Sequence, residues 1–262
     1  MDRDAVISIE DLGVSFTKHK NIIQAVDGFS LQVRKGEFVC ILGPSGCGKT
    51  TVLRVLAGLQ EHQRGTVRIE RAGQPNEIPV TLVFQDFALF PWRTVRKNIE
   101  FPLETRKIPS EKHAEISRRL IDLVNLEGFE NAHPKELSGG MKQRVAIARA
   151  LATDARVLLM DEPFGSLDAQ TRNLMQKELL DIWRKTKSTI VFVTHSVDEA
   201  VFLADRVVVM TSRPGRVKRI FDVNIPRMRE RTSADFIKIR GAVLAELQQE
   251  FDKAQAAEHK RE

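Results

Sequence analysis

The stretch Gly43-Pro44-Ser45-Gly46-Cys47-Gly48-Lys49-Thr50 constrains this chain more than any other. A glycine, four residues, a second glycine, a lysine and a hydroxyl residue make the pattern of a loop that cradles phosphate. Its context supports the pattern. The short apolar run Glu37 to Leu42 before it reads as a buried strand, and Thr51 to Ala57 after it reads as a helix that stops at Gly58. Glycines permit backbone shapes closed to other residues. Backbone N–H groups and the helix N-terminus then face a polyphosphate. Lys49 can set its charge on the terminal phosphates, and Thr50 can offer its hydroxyl to Mg²⁺. Cys47, in the same loop at a helix N-terminus, stands where a thiolate is favoured. That predicts a thiol open to a bulky reagent and protected by MgATP; the alternative is a small residue that fills space.

With 262 residues the chain has room for one large domain, or a domain with a subdomain, around a sizeable core. The net charge of +6 and pI of about 9.4 suit phosphate-rich ligands, nucleic acid or an anionic surface without choosing among them. Cys40 and Cys47 offer no zinc-like spacing and at most one disulfide, so a reducing cytosol is expected. The charged start Met1-Asp2-Arg3-Asp4 precedes no long apolar stretch, which argues against a signal peptide. No run of eighteen apolar residues occurs, so work at a membrane would need spans from another chain.

Alternation predicts strands over 6–9, 13–16 and 28–33, separated by Lys18-His19-Lys20 and, before the next strand, by Arg34-Lys35-Gly36. Further strands are expected over 65–69 and 80–84, with turns at Gly73, Pro75 and Pro79. From Val95 to Leu126 the pattern becomes helical, with Ile116, Leu120, Leu123 and Val124 at helical spacing. After His133-Pro134 another helix opens at Leu137-Ser138-Gly139-Gly140 and runs to about Ala152. Strands over 157–160, 189–193 and 206–210 then alternate with helices over 169–187 and 197–204, as in a parallel α/β sheet. Phe236, Val243, Leu247 and Phe251 mark an amphipathic tail helix packed on its own domain, and the charged last dozen residues are expected to fray.

Asp161-Glu162 follow the apolar strand 157–160 directly. A carboxylate at such a strand end helps hold Mg²⁺ in phosphate-loop enzymes, which suits Asp161, and Glu162 can polarise an attacking water. Ser138-Gly139-Gly140 at a helix start is a second anion-binding end, although Ser138 is also an ordinary N-cap residue. With Leu137-Ser138-Gly139-Gly140-Met141-Lys142-Gln143-Arg144 the chain resembles the ATP-binding subunits of ABC transporters, whose signature is Leu-Ser-Gly-Gly-x-x-Gln-Arg.

That resemblance runs from about Ile7 to Gly215. It implies an α/β fold: a phosphate-loop NTPase core with a mostly parallel sheet, an N-terminal antiparallel β-subdomain and an inserted helical subdomain. The whole chain would be one ATPase domain, with a core over 1–90 and 153–220, a helical subdomain over 91–152 and a helical tail over 221–262. ATP would lie on Gly43 through Thr51, between two chains paired head to tail, with Ser138, Gly139 and Gly140 reaching the nucleotide of the partner; Asp168, a further nucleotide-binding candidate, would stand in the short loop Ser166-Leu167-Asp168 that crosses the dimer interface. Thr50, Asp161 and Gln85 would serve Mg²⁺. Glu162, His195 and Gln85 would serve hydrolysis. The family's adenine-stacking aromatic would be Phe16, since the chain has no tyrosine; a buried strand position is the other reading of Phe16.

Phe90-Pro91-Trp92 and Ser212-Arg213-Pro214-Gly215-Arg216 resemble the nitrate, sulfonate and taurine importer branch. The resemblance then implies a peripheral ATPase at the cytoplasmic face of the inner membrane, with ATP and Mg²⁺ as cofactors. Its partners would be a permease, a second ATP-binding subunit and, indirectly, an external solute-binding protein. The apolar run Asp86 to Trp92 would form part of the permease-docking wall, with Trp92 as anchor and Phe87, Leu89 and Phe90 packed inside the subdomain. The rival readings are an exporter subunit and a soluble ABC ATPase acting on nucleic acid. The second is disfavoured, because only about ninety residues, without sustained heptads, lie between Lys49 and Ser138.

Overall fold

Continuous apolar runs with no polar alternation must be buried on both faces, and β-strands flanked by parallel neighbours satisfy that need. The computed structural model describes residues 4–18, 21–70 and 78–258. In chain order its elements are β1 (Ala5–Lys18), β2 (Asn21–Arg34), β3 (Phe38–Leu42), α1 (Lys49–Leu56), β4 (Arg64–Ile69), β5 (Val80–Val83), α2 (Val95–Thr105), α3 (Ser110–Leu123), α4 (Gly139–Leu151), β6 (Val157–Asp161), α5 (Ala169–Thr186), β7 (Thr189–Thr194), α6 (Val197–Leu203), β8 (Arg206–Met210), β9 (Val217–Asp222) and α7 (Ala234–Glu258). They fall into two compact units, Met1–Glu70 with Thr189–Glu262, and Arg71–Ser188.

In the first unit β3 lies between β7 and β8, parallel to both, with Phe38 opposite Ile190 and Leu42 opposite Thr194 and Val209. Every residue of β3 and β7 is buried. Phe38 and Phe192 meet across this pair with ring centroids 6.0 Å apart. β9 adds an antiparallel edge to β8. Its run Val217 to Asp222 carries Lys218 and Arg219 and is only partly buried, so its pattern gave no strand expectation. α7 packs on α6 and β8, burying Phe236, Val243 and Leu247. Phe251, expected on the same face, is exposed. Arg229 closes the end of α6: its buried guanidinium donates to the carbonyls of Val201, Phe202 and Ala204, which the helix itself leaves unpaired.

A second sheet of the same unit has the order β2-β1-β4, antiparallel throughout. The two runs expected as separate strands, 6–9 and 13–16, are one strand, bent where the register shifts between Ile9 and Val14. Asp11 takes a left-handed φ of 50° there, as an extra residue in a bulge requires. The turn residues His19 and Lys20, the expected turns at Gly73 and Pro75, and the last four residues of the charged tail lie outside the described residues.

In the second unit β5 and β6 pair in parallel, Val80 opposite Val157 and Val83 opposite Met160. α2, α3 and α4 pack together, and α4 also packs on β5. The helical pattern from Val95 to Leu126 divides into α2 and α3. Lys107 has a φ of 56°, and Pro109, as the N-cap of α3, restarts the helix. Among the described residues no helix is long and apolar enough to cross a membrane.

Candidate active site

The loop Gly43 to Gly48 leaves the buried end of β3 and enters α1 at Lys49. Gly46 and Gly48 have φ of 73° and 107°, and a Cβ on Gly48 would come within 2.9 Å of the Ala25 carbonyl. Only glycine tolerates both demands. The buried Lys49 ammonium donates to the carbonyls of Gly43 and Pro44, at 2.8 and 2.9 Å, which ties the loop's first limb to its helix. Thr50 and Thr51 follow in the first turn of α1, half-buried, where backbone N–H groups lack acceptors within the helix.

Cys47 departs from the expectation of a reactive thiolate. It is 1% exposed, and burial pushes its thiol up despite the nearby Lys49 charge. Sγ fills the space beside Gly43, where an added Cβ would come within 2.7 Å. The space-filling alternative describes it.

His195 follows β7 directly and is exposed. Because Thr194 lies opposite Leu42 in the parallel pair, His195 and Gly43 leave adjacent strands at the same edge. The turn is fixed on its far side, where Thr194 donates to the Glu199 carboxylate and the Ser196 side chain accepts from the Glu199 N–H. Phe16 lies on β1 opposite Ile23 and is 39% exposed, so it is not the buried core residue of the other reading.

In the second unit Asp161 ends β6, and Glu162 after it takes a φ of 44°. That conformation costs a non-glycine residue about 1–3 kcal/mol and clusters at functional sites. The turn is closed by the Gly165 N–H donating to the Glu162 carbonyl at 3.0 Å. A Cβ on Gly165 would stand 3.4 Å from Gln85 Nε2, so the structure brings Gln85 against the Glu162 turn. Ser138 is the N-cap of α4, its side chain accepting from the Met141 N–H. Gly139 and Gly140 let that helix start approach the next loop and α5. A Cβ on them would meet Leu167 at 3.1 Å and Thr171 at 2.9 Å. Asp168 is the N-cap of α5, accepting from the Gln170 and Thr171 N–H groups at 3.0 Å each. Hydrogen bonds from Thr171 and Gln170 hold its carboxyl below the usual range.

The segment after Gln85 is braced by two residues without a sequence signal. Arg149 of α4 donates to the carbonyls of Phe87 and Ala88, both in left-handed conformations. Buried Asn98 of α2 bonds the N–H and carbonyl of Phe90 and the carbonyls of Arg93 and Thr94. Phe87, Leu89 and Phe90 are half-buried, whereas Trp92 is 71% exposed. A groove of about 320 Å³ opens here, with Phe84, Phe90, Phe101 and Arg149 in its wall.

Residues 26–165 match the protein family described as ABC transporter. The chain is 50% identical over 251 residues to an uncharacterized ABC transporter ATP-binding protein of Methanocaldococcus jannaschii, covering 95% of this chain and 93% of that one. It is 43% identical over 245 residues to the aliphatic sulfonates import ATP-binding protein SsuB of Bacillus cereus, covering 92% and 96%. Among solved structures it resembles a dimeric ABC transporter cassette, with a TM-score of 0.71 and 30% identity over 84% of this chain and 100% of that one. A dimeric, post-hydrolysis cassette bound to ADP and Pi gives a TM-score of 0.72 at 29% identity, again over 84% and 100%. The matched segment holds the phosphate loop, Gln85, the Ser138 helix start and the Asp161-Glu162 strand end, and on these grounds the chain belongs to the ABC transporter ATP-binding family and is an ATPase.

Proposed function

We propose that this ATPase powers import of a small oxoanion, such as an alkyl sulfonate, taurine or nitrate, through a separate membrane permease. The observation that carries the import reading is the similarity to the sulfonate-import ATP-binding protein, which runs nearly end to end in both chains. Two copies pair head to tail, each phosphate loop facing the Ser138, Gly139, Gly140 and Asp168 of the other copy. The assembly works peripherally at the cytoplasmic face of the inner membrane, and an external binding protein delivers the solute.

Within each site Lys49 leaves the carbonyls of Gly43 and Pro44 for the terminal phosphates of ATP. Phe16 stacks on adenine through its exposed ring. The oxygen donors of Thr50, Asp161 and Gln85 suit Mg²⁺, a hard cation that keeps most of its waters and needs few protein ligands. Mg²⁺ would neutralise charge between the outer phosphates. The Glu162 carboxylate accepts a proton from the attacking water as oxygen bonds to the terminal phosphorus and the bond to ADP breaks. His195 and Gln85 hold the phosphate and the water.

The test separates binding from chemistry. Lys49→Ala should weaken ATP binding. Glu162→Gln should bind ATP, hold the dimer together in gel filtration and hydrolyse about a hundredfold or more slowly, the scale of a lost general base. Equal turnover of Glu162→Gln and wild type would end the assignment. ATP-driven uptake of an alkanesulfonate by vesicles holding the subunit and its permease tests the solute class.

A further inference from the structure

We propose that Arg213 is a positioning residue for the phosphate-binding loop, and that the C-terminal helix α7 sets it in place through Glu250. The inference rests on the ATPase activity alone and holds whatever solute is moved. Arg213 Nε and Nη2 both donate to the Gly46 carbonyl, at 3.2 and 3.0 Å. Gly46 is one of the loop's two left-handed glycines, with Gly48. Before ATP draws Lys49 from the carbonyls of Gly43 and Pro44, three loop carbonyls are fixed by cations, and the Arg213 contact is the one that stays. A guanidinium fork shared on one carbonyl fixes the peptide's orientation, and its charge adds to the field an incoming polyphosphate meets.

Arg213 could be an ordinary solvated arginine, since it is exposed. The loop that carries it argues otherwise, because it is held on three sides. Toward the phosphate loop, a Cβ on Gly215 would come within 2.1 Å of the Cys47 carbonyl, so the backbones touch. Toward β2, the Gly215 N–H donates to the Ala25 carbonyl at 2.9 Å and its carbonyl accepts from the Asp27 N–H at 3.1 Å. Toward α7, the Ser212 N–H and hydroxyl donate to Glu250 at 3.0 and 3.4 Å. Inside the loop, Thr211 bonds the Pro214 carbonyl and the Arg216 N–H.

Glu250 is built for this contact. It is 1% exposed, with Lys218 at 3.0 Å and Lys253 at 2.7 Å. A buried carboxylate with two cations and a backbone donor is a fixed point. The cavity of about 460 Å³ between Ile22, Ser45, Gly46, Arg213 and Ala254 places α7 and the phosphate loop on one wall system. A shift of α7 therefore reaches Gly46 through three residues, Glu250, Ser212 and Arg213.

The test is the ATP dependence of hydrolysis by the full chain. Arg213→Ala should raise the KM for ATP about fivefold, the scale of one exposed charge-assisted hydrogen bond, with kcat within about twofold of wild type. The rise in unfolding temperature on adding MgATP, taken against each variant's own apo form, should shrink in step. Arg213→Lys should restore part of the loss, since the charge stays and the fork does not. Glu250→Gln should raise KM in the same sense and add little to Arg213→Ala, because both break one link. If Glu250→Gln does not fold, Glu250→Asp, with its charge drawn back from Ser212, takes its place. An unchanged KM in Arg213→Ala, a loss confined to kcat, or full additivity with the Glu250 variant would overturn the proposal.

Discussion

The Cys47 thiol faces Gly43 and not the solvent, and its burial outweighs the helix N-terminus that would favour a thiolate. We expect a bulky maleimide to leave Cys47 unlabelled in the folded chain, with or without MgATP, and to label it once the chain is unfolded in denaturant. Fast labelling of the native protein, detected by mass spectrometry, would show that the loop opens. The lesson of this residue is general to the site. Placements that depend on chain neighbours were legible: Lys49 and Thr50 at the start of α1 by spacing, Asp161 and Glu162 at the end of β6 by the apolar run before them. The environment of Cys47 depends on packing, which no local pattern encodes. Arg213 meets Gly46 across 167 positions, and a sequence of ordinary charged residues carries no mark of that meeting.

At the scale of elements, strands buried on both faces were read easily, because a run such as Phe38 to Leu42 has nowhere else to go. The bulge in β1 and the edge strand β9 were not, since one rests on a single left-handed aspartate and the other is half-exposed and charged. The docking of α7 was half legible: Phe236, Val243 and Leu247 announce an apolar face, while Glu250 reads as one more surface acid. Burial pushes the Glu250 carboxyl up, but Lys253, the Ser212 N–H and Lys218 together hold it at about 2, below its usual 4.5. A carboxyl depressed in the folded state stabilises it fully above the unfolded value and loses that contribution as pH falls through the folded one. Wild type should therefore exceed Glu250→Gln by about 2 kcal/mol in urea unfolding at pH 7. The gap should narrow progressively below pH 4.5 toward pH 2. A gap at pH 3 as large as at pH 7 would mean that the charge is not what holds α7.

For the molecule as a whole, Trp92 is a large aromatic that the chain itself leaves uncovered. It is 71% exposed beside Phe90, at 5.6 Å between ring centroids, on a segment that Arg149 and Asn98 hold rigid. A large aromatic on a braced surface is a strong anchor for a partner. Trp92→Ala should keep the ATPase activity of the isolated subunit and weaken co-purification with the proposed permease about thirtyfold, the effect of losing one anchor of about 2 kcal/mol. Loss of ATPase activity with assembly unchanged would make Trp92 a folding residue.

The division of the chain into a split unit and a continuous one has a consequence for its birth on the ribosome. β3 finds both of its neighbours, β7 and β8, only after the whole of Arg71–Ser188 has been made. At about 5–20 residues per second, that leaves a fully apolar strand without its partners for roughly ten seconds or more after it emerges. During that interval its open edges can pair with any other nascent chain. The continuous unit is complete as soon as Ser188 has been made, before β7 and β8 reach β3. Synthesis thus exposes the nucleotide-binding strand longest, and this is the segment a chaperone would have to shield.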